Sequence, residues 1–166
     1  MSGIGIRRAG LDDLDALVPL FEGYRRFYGQ PGDLPRARGF LRERLACGES
    51  VVLLAGIAAD GTGPAAGFAQ LYPVFSSVRT ARAWLLNDLF VATAARRRGV
   101  GRALLDAAAA FARADGAVAL MLETGRGNDD ARALYRSAGW HEDDTQWYSL
   151  DLASCPGNAP HKKLSS

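Results

Sequence analysis

Seven residues near the middle of the chain, Arg96-Arg97-Arg98-Gly99-Val100-Gly101-Arg102, combine four guanidinium groups with two glycines. Such residues at this spacing can hold an anion. A glycine lets backbone N–H groups approach a bulky ligand, because no Cβ stands in the way. Val100, Leu104, Leu105, Ala108, Phe111 and Ala112 recur at helical spacing, so the turn runs straight into a helix with one apolar face. The first N–H groups of a helix lack internal partners and carry the positive end of its dipole. Upstream, the largely apolar run Leu86–Val91 reads as a strand. Strand, glycine turn and helix N-terminus together make a phosphate site, and arginine adds bidentate donors. The Walker pattern needs Gly-Lys-Ser/Thr, whereas Gly101 is followed by Arg102-Ala103; the dinucleotide fingerprint needs a third glycine. The competing reading is a basic surface turn that caps a core helix.

A second segment, Asn128-Asp129-Asp130-Ala131-Arg132-Ala133-Leu134-Tyr135-Arg136-Ser137-Ala138-Gly139-Trp140, reads as a helix capped by Asn128 and ended by Gly139. Ala131, Leu134, Tyr135 and Ala138 share one of its faces. The earlier turn fits Arg/Gln-x-x-Gly-x-Gly/Ala, and this segment fits Asn-x-x-Ala-x-x-x-Tyr-x-x-x-Gly-aromatic. In this order the two resemble the GNAT superfamily of acetyl-CoA-dependent N-acetyltransferases, over roughly Trp84 to Trp140. The resemblance implies an α/β (α+β) GNAT fold, with a mixed central sheet of six to seven strands and about four helices. Two parallel strands, Ala83–Val91 and Val118–Thr124, should splay apart to take the pantetheine arm. Acetyl-CoA is the implied co-substrate. Its contacts are expected at Arg96, Arg97, Arg98, Gly99, Val100, Gly101 and Arg102, at the backbone of Phe90 and Val91, and at Asn128. A valine at position 101 should crowd the pyrophosphate. Tyr135 matches the tyrosine that protonates the coenzyme A sulfur; a phenol near its usual pKa of about 10 keeps its proton at neutral pH, as a general acid must. The structural alternative for Tyr135 is a half-buried core residue.

Leu86-Asn87-Asp88-Leu89-Phe90-Val91 resembles the Leu-Glu-Asp-Phe-Phe-Val strand of the polyamine (spermidine/spermine) acetyltransferases, whose glutamate is the proposed base. Asn87 replaces that glutamate and cannot take a proton. The Asn-Asp form is closer to the branch of yeast histone and D-amino-acid acetyltransferases. Asp88 then has two readings, the end of a water chain that serves as base or a structural hydrogen-bonding carboxylate. Neighbouring strand residues point to opposite faces unless a bulge intervenes. Before the central strands, Arg25, Arg26, Arg36, Arg38, Arg42 and Arg44 stand against Glu22, Asp33 and Glu43. A polyamine pocket should be acidic. This balance suits an acceptor with a carboxylate, such as an amino acid, or else marks solvated helix faces. The expected activity is acetyl transfer to a small primary amine. The alternatives are a protein lysine or N-terminus as acceptor, and a non-catalytic acyl-CoA-binding module, against which Tyr135 argues.

The surrounding elements follow from periodicity. Strands are expected at Ile4–Arg8, Val51–Ala59, Ala65–Val74, Ala83–Val91 and Val118–Thr124, with a closing strand or hairpin from Trp140–Glu142 and Thr145–Leu152. Helices are expected at Leu11–Tyr28, with Pro19 a potential kink, at Leu34–Ala46 with Phe40, Leu41 and Leu45 inward, at Gly99–Asp115 and at Asn128–Ala138. The 166 residues suit one domain over 1–152 and a flexible tail over 153–166. A net charge of +2 is too small to argue for nucleic acid, and two histidines argue against a histidine-based metal site. The two cysteines and an N-terminus without a long apolar run suggest reduced thiols in a cytoplasm. No stretch approaches a membrane span. Trp147, Tyr148 and Leu150 near the C-terminus point to a homodimer.

Overall fold

The computed structural model describes residues 3–152. Its elements are β1 (Gly5–Arg8), a short 3-10 turn (Leu11–Asp13), α1 (Leu14–Phe27), α2 (Leu34–Ala46), β2 (Val51–Gly56), β3 (Ala65–Ser76), β4 (Ala81–Val91), α3 (Val100–Ala114), β5 (Leu120–Met121) and α4 (Asp129–Ser137). Asp33 caps α2 by accepting from the Arg36 N–H at 3.0 Å. Pro19 does not split the first helix, and α1 runs through it. A proline inside a helix costs about 3 kcal/mol, but Leu17, Val18, Leu20 and Phe21 around it are all buried. Phe40, expected inward, is half-exposed and stacks on Phe21; Ala37 and Leu41 hold the buried face of α2.

The sheet order is β1-β2-β3-β4-β5. The first four strands are antiparallel, and β5 runs parallel to β4. The sheet is mixed, as expected, but has five strands among the described residues rather than six to seven. Two causes account for the difference. The segments 140–142 and 145–152 make no ladder; Trp140 packs against the core, while Trp147, Tyr148, Leu150 and Leu152 face solvent. The strand expected over Val118–Thr124 shrinks to Leu120–Met121, because it pairs only with Trp84 and Leu85 before leaving β4. That departure is the expected splay, and it opens a gap beside residues 87–91. The tail expected over 153–166 lies outside the described residues. No described helix is long and apolar enough to cross a membrane.

Two apolar clusters sandwich the sheet. On one face Leu53, Leu71, Trp84 and Leu86 meet Val100, Leu104 and Leu105 of α3. On the other, Val52, Leu54 and Phe68 meet Leu17, Phe21 and Leu41 of α1 and α2. Strict alternation would put Leu86, Asp88 and Phe90 on one face. They are not on one face. Leu71 pairs with Leu86 and Gln70 with Asp88, so Asn87 is an extra residue without a partner. This bulge reverses the pleat. Leu86 packs in the α3 cluster, while Phe90 packs against the α1 and α2 cluster, and Asp88 shares the parity of Phe90.

Candidate active site

Beside the end of β4 lies a cavity of about 520 Å³, bounded by β4, the turn before α3, α4 and the end of α1. One end is walled by the turn before α3. Gly99 caps that helix at φ 85°, a left-handed conformation that favours glycine, and Arg97 before it is also left-handed at φ 61°. The first intrahelical bond across the turn is donated by the Ala103 N–H to the Gly99 carbonyl, so the N–H groups of Val100, Gly101 and Arg102 are free of helix partners. Arg96, Arg97, Gly99, Val100, Gly101 and Arg102 all line the cavity, and Arg98 does not. The arginines have distinct tasks. Arg96 donates to the Val91 carbonyl at 3.2 Å. Arg102 donates to Asp106 and to the Ser137 carbonyl, which ties α3 to α4. Arg97 makes no ion pair among the described residues, so its guanidinium is available to an anion. A Cβ on Gly101 would meet Leu134 Cδ2 at 3.0 Å and Val91 Cγ2 at 3.7 Å. A valine there would therefore press on α4.

The long wall is β4. The Ala92 N–H donates to the Ala66 carbonyl, and Phe90 pairs with Phe68. Hydrogen-bonded and outward-facing residues alternate along an antiparallel strand. Phe90 therefore spends its backbone groups on β3, and those of Leu89 and Val91 face the gap, as the Arg96 bond to the Val91 carbonyl confirms. The expected backbone pair thus moves from Phe90 and Val91 to Leu89 and Val91, while the Phe90 side chain still lines the cavity.

Tyr135, on α4, closes the far end with Asn128 and Leu134. Asn128 caps α4 by accepting from the Ala131 N–H at 3.4 Å, and Gly139 follows the helix at φ 85°. Burial pushes the Tyr135 phenol up to about 12, with a further contribution from Tyr28. Tyr24, Phe27 and Tyr28 at the end of α1 form the opposite wall. Helical periodicity puts both tyrosines on the apolar stripe of α1, a position that by itself says nothing of a cavity.

Asp88 does not line the cavity and is only 3% exposed. It accepts from Gln70 Nε2 at 2.6 Å and from Asn87 Nδ2 at 2.9 Å, and the Tyr24 phenol approaches it from α1. Burial pushes its carboxyl above the usual carboxylate range, opposed by these three partners. Asp88 in turn acts on three phenols. Tyr24 is raised by burial and then by Asp88, and Tyr28 likewise. Burial, followed by Asp88, takes Tyr72 to about 12. The α1 and α2 arginines stay outside the cavity. Arg25 and Arg26 pair with the buried Glu22, Arg38 with Asp15, and Arg44 with Glu43 and Glu49.

Residues 16–140 match the acetyltransferase (GNAT) family. The chain belongs to that family. It is 46% identical over 140 residues to an uncharacterised N-acetyltransferase, YhfO, of Bacillus subtilis, covering 84% of this chain and 91% of that one. The crystal structure of a probable acetyltransferase superposes with a TM-score of 0.83 at 42% identity, over 89% of this chain and 97% of the other. An aminoglycoside N-acetyltransferase, AAC(6')-Iy, solved with CoA, shares the fold at a TM-score of 0.76 and 19% identity, over 92% and 97%. The protein is therefore a GNAT acetyltransferase, and such enzymes use acetyl-CoA. Its own residues fit that co-substrate. Free N–H groups and Arg97 suit the pyrophosphate, and the outward backbone groups of Leu89 and Val91 suit amides lying along β4.

Proposed function

We propose that this GNAT chain transfers the acetyl group of acetyl-CoA to a primary amine of a small molecule. The observation that carries this reading is the facing pair of phenols, Tyr135 on α4 and Tyr28 on α1, in the cavity beside the end of β4. Acetyl-CoA supplies an activated thioester. The α3 N-terminus and Arg97 hold its anionic end, and β4 aligns the arm. Tyr135 keeps its proton at neutral pH and delivers it to the departing sulfur. Asp88, buried beside Gln70 with its carboxyl pushed above the usual carboxylate range, is the proton acceptor in this reading.

The arginine excess on α1 and α2 no longer supports an amino acid in particular, because none of those side chains lines the cavity, and Arg25, Arg26, Arg38 and Arg44 are held in ion pairs. The acceptor end presents Tyr24, Phe27 and Tyr28, which suits a small amine with an apolar flank. A pocket without an acidic cluster, and Asn87 in the position of a glutamate, support a place near the branch of yeast histone and D-amino-acid acetyltransferases rather than the polyamine branch. The exposed run Trp147–Leu152 supports a homodimer. The test is an amine panel that follows release of free thiol from acetyl-CoA. Turnover with at least one small amine is expected. Turnover confined to peptide lysines or N-termini would replace the small-molecule reading, and no turnover with any acceptor would reject the enzyme reading.

A further inference from the structure

Resting on that reading, we propose that Tyr24 is the group that contacts the acceptor amine and relays its proton to the buried Asp88. Asp88 has no surface in the cavity, whereas Tyr24 lines it and packs against Phe68, two residues along β3 from Gln70, the partner of Asp88. The bulge at Asn87 turns Asp88 towards α1, and the Tyr24 ring is held edge-on against Phe68 and Tyr28, with centroids 6.1 and 5.0 Å away. A phenol can accept and donate at once. An ammonium proton passes to the Tyr24 oxygen as the Tyr24 proton passes to Asp88. A neutral amine, an intact phenol and a carboxylic acid remain, and the acid returns its proton to solvent by the reverse route after product leaves.

A carboxylate that cycles in this way needs partners in both states. Ionised, it accepts from Gln70 and Asn87. Gln70 is fully buried, and its Oε1 has no hydrogen-bond partner. Half a turn of that amide presents Oε1 to a protonated Asp88, so the orphan acceptor is matched by the acid form. The other titratable groups turned towards Asp88 are Tyr28 on α1 and Tyr72 on β3, both phenols raised by burial and therefore neutral at pH 7.

The experiment compares wild type with Tyr24→Phe on two acceptors at neutral pH, the best amine of the panel and hydroxylamine, which is already unprotonated there. A positioned base contributes on the order of 100- to 10,000-fold. The variant is expected to lose kcat/KM within that range for the ammonium substrate, to keep its turnover of hydroxylamine, and to recover with the amine as pH rises towards the amine's own pKa. Equal losses on both acceptors, or no loss on either, would overturn the relay. Asp88→Asn should reproduce the pattern, and the double variant should be no worse than either single one, as for residues that act as a unit. If Tyr24→Phe fails to bind acetyl-CoA in calorimetry, Asp88→Asn decides alone. Wild type that releases no thiol with any acceptor rejects the enzyme reading and the relay with it.

Discussion

Tyr135 is a phenol in a half-buried site, and its environment raises its pKa to about 12. It therefore holds its proton at neutral pH, and in the mechanism proposed above the acidic and basic tasks fall to opposite walls of the cavity. Two outcomes follow from this. The wild-type kcat should show no alkaline loss attributable to this acid below about pH 10. Tyr135→Phe should lower kcat on the order of 100- to 10,000-fold and leave acetyl-CoA affinity nearly unchanged, which steady-state kinetics and calorimetry would check. Retention of turnover across pH would return Tyr135 to a packing role. Tyr135 was legible because it stands at a fixed spacing from Asn128 and Gly139 in one helix. Tyr24 and Tyr28 were not, because a phenol on an apolar stripe looks the same whether its hydroxyl meets solvent, a carboxylate or a ligand. Gln70 left a fainter signal as the single polar side chain in Ala65-Ala66-Gly67-Phe68-Ala69-Gln70-Leu71.

Among the elements, β4 shows what periodicity can and cannot convey. Its extent was nearly readable, Ala83–Val91 expected against Ala81–Val91 found. Its bulge was not, since an inserted residue leaves both flanking apolar patterns intact and only reverses their faces. Inserting an alanine between Gln70 and Leu71 gives Asn87 a partner and should restore strict alternation, forcing Asp88 onto the face of Leu86 in the α3 cluster, where a buried carboxylate is strongly destabilising, by roughly 3–5 kcal/mol. Asn87→Ala keeps the backbone count and removes one exposed donor, a loss of about 1 kcal/mol. Thermal denaturation that ranks the two variants as equal would show that the bulge does not direct Asp88. The start of α1 makes a separate case. Arg7 on β1 grips Asp13 through both oxygens, at 2.5 and 2.9 Å, and Asp13 also accepts from the Gly10 N–H. The Arg7 hydrogen bond lowers the Asp13 pKa. A depressed folded value means stability that is fully present above the unfolded pKa of about 3.9 and is lost as pH falls through the folded one. Asp13→Asn should thus unfold earlier in urea at neutral pH, by about 1 kcal/mol for a partly exposed pair, with the gap closing in strong acid. A gap that persists there would place the effect outside the ion pair.

At the scale of the whole molecule, two apolar clusters close around the sheet, yet one apolar stretch stays outside them. Trp147, Tyr148, Leu150 and Leu152 are 73%, 86%, 82% and 91% exposed. Isolated exposed apolar side chains are ordinary, but a contiguous group of large ones marks a contact surface. Tyr148, Leu150 and Leu152 alternate with Ser149 and Asp151, a strand pattern without a strand partner among the described residues. The missing sixth strand and this run are one fact seen twice. The segment was readable as a strand former, but a sequence alone does not say what such a strand pairs with. A two-fold contact uses the same patch on both copies, and each large apolar side chain it covers contributes about 1.5–3 kcal/mol. Light scattering at micromolar concentration is expected to give twice the 17.7 kDa chain mass. Replacing Trp147 and Leu150 with aspartate should shift it to the monomer while far-ultraviolet circular dichroism stays the same, since neither side chain belongs to the two core clusters. A wild-type protein that scatters as a monomer would reject the dimer outright. A dimer that survives both substitutions would move the interface away from this segment.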